Sequence, residues 1–163
     1  MQRKIQRIFI AISSVALLVL IRNMYVSFQF DTKPLPQSFY EDIALVEQDI
    51  LDNMERAFGF RYQVPLLITD KIPGKIYGVT AKDEQGKITI YLNKKIMKES
   101  FDYILSDVIA HEYAHALLFK RGYYDKGGDG HSSLWQKTCE KLGGAKCQRY
   151  VDSHDVIMQK LPF

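Results

Sequence analysis

From Ile8 to Ile21 the chain reads IFIAISSVALLVLI, fourteen residues without a charge, directly after the basic start MQRKIQR. So apolar a run must leave water, either in a core or in a bilayer, and its position at one end sets it apart from the residues that follow. Its length suits the apolar region of a cleavable export signal, yet no small-x-small site follows; Arg22, Asn23, Met24 and Tyr25 come next. With Arg22 snorkelling toward the interface, residues 8–28 span about 30 Å as a helix, the thickness of a hydrocarbon core. The expectation is an uncleaved membrane anchor over 8–28, preceded by a basic end at 1–7. Arg3, Lys4 and Arg7 before the run against Arg22 after it predict a cytoplasmic N-terminus and a body outside the cytoplasm. Pro34 and Pro36 in DTKPLPQ mark a short stiff linker, 29–37, and the body occupies 38–163.

The basic end also distorts the net charge of +3. The first thirty residues hold four of the 22 basic side chains and no acid, which leaves 18 basic against 19 acidic residues in the rest. A nearly neutral body lacks the electrostatic footprint that phosphate neutralisation demands, which argues against nucleic acid as a partner. Its small basic cluster, Lys94, Lys95 and Lys98, reads as solvated surface. Cysteine occurs only at Cys139 and Cys147, too few for a four-ligand zinc ribbon. The pair either closes a short loop across Gly143-Gly144 as a disulfide, if the body is exported, or stays as two separate buried thiols.

Within the body, Ser38 and Glu41 form a capping box, and Phe39, Ile43, Val46, Ile50, Met54 and Ala57 recur at helical spacing up to Gly59, which predicts a helix over 39–58. VPLLIT (64–69) and residues 77–81 read as short strands. Ile88, Ile90 and Leu92 alternate with Thr89 and Tyr91 as a half-buried strand, joined to the previous one in a hairpin across KDEQG. A second helix is expected from Ser100 to Lys120, ended by Gly122. A third follows a Ser133–Gln136 capping box, with Trp135, Cys139 and Leu142 inward and Gly143-Gly144 as its stop. The order helix, strands, helix, helix is that of an α+β fold.

His111, Glu112 and His115 spell HEYAH in the second of these helices. Histidines four apart project from one face on successive turns, so two imidazoles reach one metal, and the glutamate beside them can hold and deprotonate water. A catalytic site of this kind needs a third protein ligand and one open position. His131, just after the GGDG loop (127–130) and ahead of a capped helix, is the preferred third ligand. His154, in the polar stretch VDSHD, reads as a surface residue, and Asp125 and Asp129 read as turn residues.

HEYAHALLF followed by GHSSLW and a helix ending in LGG resembles the SprT-like family, the group containing the Spartan proteases. The family pattern is HExxH, a loop, and a histidine with an aromatic four residues later; Gly130, His131 and Trp135 stand at that spacing. The resemblance covers residues 77–144. It implies a zincin-like minimal metallopeptidase domain with a small sheet, His111, His115 and His131 as zinc ligands and Glu112 as the catalytic residue. Ser132 stands where the family commonly has glycine. No cysteine-rich ribbon is present and a membrane segment is added, two departures that argue against the family's DNA-linked role in cleaving crosslinked proteins.

The function so implied is hydrolysis of peptide bonds in a protein or peptide substrate by zinc-activated water, with Glu112 as general base and then as proton donor to the leaving amine. The strand Ile88–Leu92 is expected to offer an open edge to an extended substrate. Tyr113, Tyr123 and Tyr124 are candidates for stabilising the oxyanion. Two other readings use the same histidines: a zinc-stabilised protein-binding module without catalysis, which has no need of Glu112, and an amidase acting on a non-protein envelope substrate.

Overall fold

A computed structural model describes residues 2–123 and 130–148, so Tyr124, Asp125, Asp129 and His154 lie outside the described residues. It divides into two units, Met1–Pro36 and Gln37–Phe163. The first contains one helix, α1 (Gln2–Thr32), long and apolar enough to cross a membrane. No residue of α1 is buried; Phe9 is 70% exposed and Met24 72%. The helix runs past the expected end at Phe28 because no breaker intervenes before Pro34, which disfavours helical backbone at Lys33. Residues 33–36, not 29–37, are the non-helical link.

The second unit is mixed α and β: α2 (Gln37–Phe58), β1 (Leu66–Thr69), β2 (Gly78–Lys82), β3 (Ile88–Asn93), α3 (Lys94–Tyr103), a π-helical turn (Ile104–Val108), α4 (Ile109–Lys120) and α5 (Ser133–Leu142). Helix α2 starts at Gln37, one residue before Ser38. Ile43, Ile50, Leu51 and Met54 form its buried stripe at the expected spacing, and each fully buried side chain of this size stabilises by about 1.5–3 kcal/mol.

The three strands pair in the order β1-β3-β2, β3 parallel to β1 (Leu66 opposite Ile90) and antiparallel to β2 (Thr80 opposite Ile90). The hairpin between β2 and β3 forms as expected, closed by Gly86 at φ +85° and by the Lys87 N–H donating to Asp83 Oδ1 at 2.8 Å. The expectation for β3 itself is corrected. Ile88, Ile90 and Leu92 are buried as the alternation predicts, but Thr89 and Asn93 are buried too, between the flanking strands β1 and β2, and Tyr91 is half-buried. It has no open edge; the sheet edges belong to β1 and β2.

The expected single helix from Ser100 is likewise corrected. Asn93 ends β3 and caps α3, its Oδ1 accepting from Lys95 N at 3.1 Å and its amide donating to Ile76 O at 2.8 Å, so the helix begins at Lys94. Ser100 then breaks it at φ −141°, ψ 30°, and the π-helical turn leads into α4. Helix α5 is capped by Ser132, not Ser133, through the Trp135 N–H at 3.3 Å, and ends at Gly143 with φ +99°. Cys139 and Cys147 are joined in a disulfide. Gly144 makes room for it, since a Cβ there would lie 2.6 Å from both sulfurs. The loop so tied back donates the Lys146 N–H to buried Asp107 Oδ1 at 2.7 Å, against the π-helical turn.

Candidate metal centre

Helix α4 packs on β2, β3 and α5, which sets its HEYAH face against the β2 edge. His111 and His115 project from successive turns of that face, and His131 enters from the residue before the α5 cap. Gly130 precedes it at φ +80°, and a Cβ there would already stand 3.4 Å from His115 Cε1, so a glycine satisfies both the left-handed backbone and the close approach. The Nε2 atom of His111 lies 3.2 Å from that of His115 and 3.1 Å from that of His131. Three nitrogens bound at about 2.0–2.1 Å to a tetrahedral zinc stand about 3.3 Å apart. The donor set and its spacing therefore fit zinc.

Trp135, 1% exposed, forms the floor of this cluster. Its ring centroid lies 4.6, 5.3 and 4.5 Å from those of His111, His115 and His131, which restricts how each imidazole can turn. Burial pushes His111 down to about 4 and His115 down to about 3, with the neighbouring imidazoles adding to the effect. Both rings are thus neutral at pH 7, with lone pairs available to a metal.

Glu112 is buried at 5% exposure beside the histidines. The Thr80 hydroxyl of β2 lies 2.7 Å from its Oε2 and 2.9 Å from its backbone carbonyl oxygen, with one proton to donate between them. Burial pushes the Glu112 carboxyl up to about 7, against the opposite pull of the Thr80 bonds. Gly78, two residues before Thr80 on the same strand face, is the space into which this side chain fits: a Cβ there would lie 2.9 Å from Glu112 Cγ. Neither Thr80 nor Gly78 emerged from the sequence. The period of two puts them on one strand face, but only the sheet order turns that face toward α4.

These elements bound a cleft of about 450 Å³, with Gly78 to Thr80 on one side, α4 below and Gly130 to Ser132 and Leu134 opposite. Of the tyrosines, Tyr123 lines it. Tyr113 does not. It is fully buried on the far side of α4, its hydroxyl donating to Glu47 Oε1 and accepting from the Val64 N–H at 3.3 Å, so it is withdrawn as an oxyanion candidate. Lys95 and Lys98 are exposed on α3, away from the cleft.

No curated protein and no solved structure matches the chain. The model of the SprT-like family, a zinc-associated group, matches residues 41–155. That span holds the sheet, α4, α5 and the three converging histidines, and the chain belongs to the SprT-like family.

Proposed function

We propose that the chain is a zinc-dependent metallopeptidase of zincin-like fold, held to a membrane by α1. One observation carries the reading: three convergent imidazole nitrogens lie beside one buried carboxylate in a cleft bounded by the outer edge of β2. His111, His115 and His131 would hold the metal, and zinc, when bound, supplies a Lewis acid that polarises the scissile carbonyl and acidifies water. Glu112, held by Thr80, takes a proton from the attacking water and returns it to the leaving amine. An extended substrate pairs with the edge of β2, the strand next to the site, in place of the β3 edge expected from the pattern. Tyr123, which lines the cleft, is the candidate among the described tyrosines for meeting the oxyanion.

The test is cleavage of a reduced, alkylated protein by the full chain in lipid nanodiscs, with Glu112→Gln alongside and zinc content measured in both. Cutting by the parent with a loss of about 100-fold or more in the variant is expected, the scale of a lost general base. Undiminished cutting by the variant would remove Glu112 from the mechanism. No cutting by either would favour a zinc-stabilised binding module.

The body acts outside the cytoplasm, with the N-terminus inside. Arg3, Lys4 and Arg7 support that orientation, and the Cys139–Cys147 disulfide suits an oxidising compartment. Alkylation of protein taken from cells without reductant should leave both cysteines unlabelled; two labelled thiols would reverse the assignment.

A further inference from the structure

Resting on the peptidase reading, we infer that the site selects extended polypeptide segments carrying a bulky apolar side chain next to the scissile bond, and that Phe119, Tyr123 and Leu134 read it. The stripe that begins with the metal-facing histidines continues along α4. His111, His115 and Phe119 are each four residues apart, so Phe119 stands one turn beyond His115, ring centroids 6.4 Å apart. The helix then stops in a Schellman motif. Gly122, at φ +77°, donates its N–H to Phe119 O at 3.2 Å, and Tyr123 donates to Leu118 O at 3.0 Å, which turns Tyr123 back beside the last helical turn.

Leu118, Phe119 and Tyr123 thereby form one apolar wall of the cleft, and Leu134 from the first turn of α5 forms the other. Tyr123 is 56% exposed and Leu134 43%, which leaves surface to be covered by a ligand. Among the described residues that line the cleft, the ionisable groups are the three histidines, Glu112 and Tyr123; no lysine, arginine or aspartate is there. The two cations that follow Phe119 are turned elsewhere: the Lys120 ammonium lies 5.1 Å from the Tyr62 ring centroid, and the Arg121 guanidinium 5.1 Å from that of Phe58. Among the described lining residues, only those of the candidate metal centre could meet a charge. A charged substrate side chain beside Phe119 would therefore lose water without gaining a partner there, whereas an aromatic or branched aliphatic one would bury area against three side chains. Such residues lie inside folded proteins. The substrate class is therefore unfolded or partly unfolded polypeptide, chosen by exposed core-type residues.

The experiment uses the full chain with Glu112→Gln, zinc-loaded, in phosphatidylcholine nanodiscs. Fluorescent Ala/Gly decapeptides with one central Phe, Leu, Asp or Lys are titrated in, and binding to empty nanodiscs is subtracted. The Phe and Leu peptides should bind about tenfold or more tighter than the Asp and Lys peptides, the effect of partly burying one apolar side chain. Tyr123→Ser combined with Leu134→Ser, both at exposed positions, should erase most of that difference at unchanged zinc content. Equal binding of all four peptides, or a preference that survives the double variant, would overturn the inference. The zinc-loaded parent, given the same peptides, separates the two claims. Selective binding without cutting would retain the selection and remove the peptidase reading, and cutting without preference would do the opposite.

Discussion

The two edges of the small sheet border two very different hollows. Beyond β1, against α2, lies a cavity of about 720 Å³ lined by Tyr40, Ile43, Glu47, Val64 and Leu66. Beside β2 lies the smaller cleft, about 450 Å³, with the histidines. The larger space is chemically quiet, since its acid, Glu47, is engaged by the Tyr113 hydroxyl and by Gln63 Nε2 at 3.3 Å. Helix α4 lines the smaller cleft and reaches the larger only through the bonds of Tyr113 to Glu47 and Val64. His111, Glu112 and His115 turn toward β2, while Tyr113, one residue on from Glu112 and about 100° further round the helix, turns toward β1. Volume is thus a poor guide to the site, and convergence of titratable groups a good one.

The sharpest way to break this comparison is to remove a proposed zinc ligand on the β2 side. His131→Ala should weaken zinc binding by more than about 100-fold, since loss of a residue merely supporting a ligand already costs 10–100-fold. His154→Ala should leave binding unchanged. Competition of both variants against a chelating dye decides the point, and equal loss, or loss in His154→Ala alone, would mean that His131 is not the third ligand.

A smaller effect is expected on the β1 side, and in a different observable. Tyr113→Phe removes the hydroxyl shared with Glu47 and Val64 and should destabilise by about 1–3 kcal/mol in urea unfolding, the cost of leaving buried polar groups short of a partner. Zinc content and turnover should stay near the parent's. A fall in turnover at unchanged stability would return Tyr113 to the chemistry and erase the division of labour between the two faces of α4.

The β2 side was legible in part, because HEYAH is a local pattern: helical periodicity alone brings His111 and His115 together, and a loop ending in glycine beside a capped helix points to His131. Tyr113 and Tyr123 could not be told apart in the sequence, since the face each occupies depends on what packs on α4. The strand Ile88–Leu92 misled for a related reason. Thr89 and Tyr91 look like a solvated face, yet in a strand flanked by β1 and β2 Thr89 and Asn93 are buried, and Tyr91 is half-buried. The start of α3 was missed because KKIMKES has few apolar residues, and its determinant, Asn93, lies in the strand before it. Two cysteines eight apart were compatible with a disulfide or with two thiols, and the choice depended on Gly143 turning the chain at the end of α5 and on Gly144 leaving room for the sulfurs.

Thr80 offers the finest test of what distinguishes the β2 edge, because β1 has no counterpart that touches an ionisable group on α4. Its hydroxyl fixes the carboxylate of Glu112 from the strand that the substrate is proposed to join, so substrate pairing and alignment of the base depend on the same five residues of β2. Thr80→Val keeps the shape and β-propensity of the side chain but cannot donate. Turnover should fall by about tenfold, or about 1.4 kcal/mol in the barrier, with KM and zinc content nearly unchanged. Thr80→Ser should restore most of it, since the proton returns while a methyl group is lost. Crystals of the valine variant should show the Glu112 carboxylate displaced from the Gly78 hollow. If the carboxylate keeps its place and turnover is intact, packing against Gly78 and Val108 is enough to hold the base, and the β2 edge contributes only backbone.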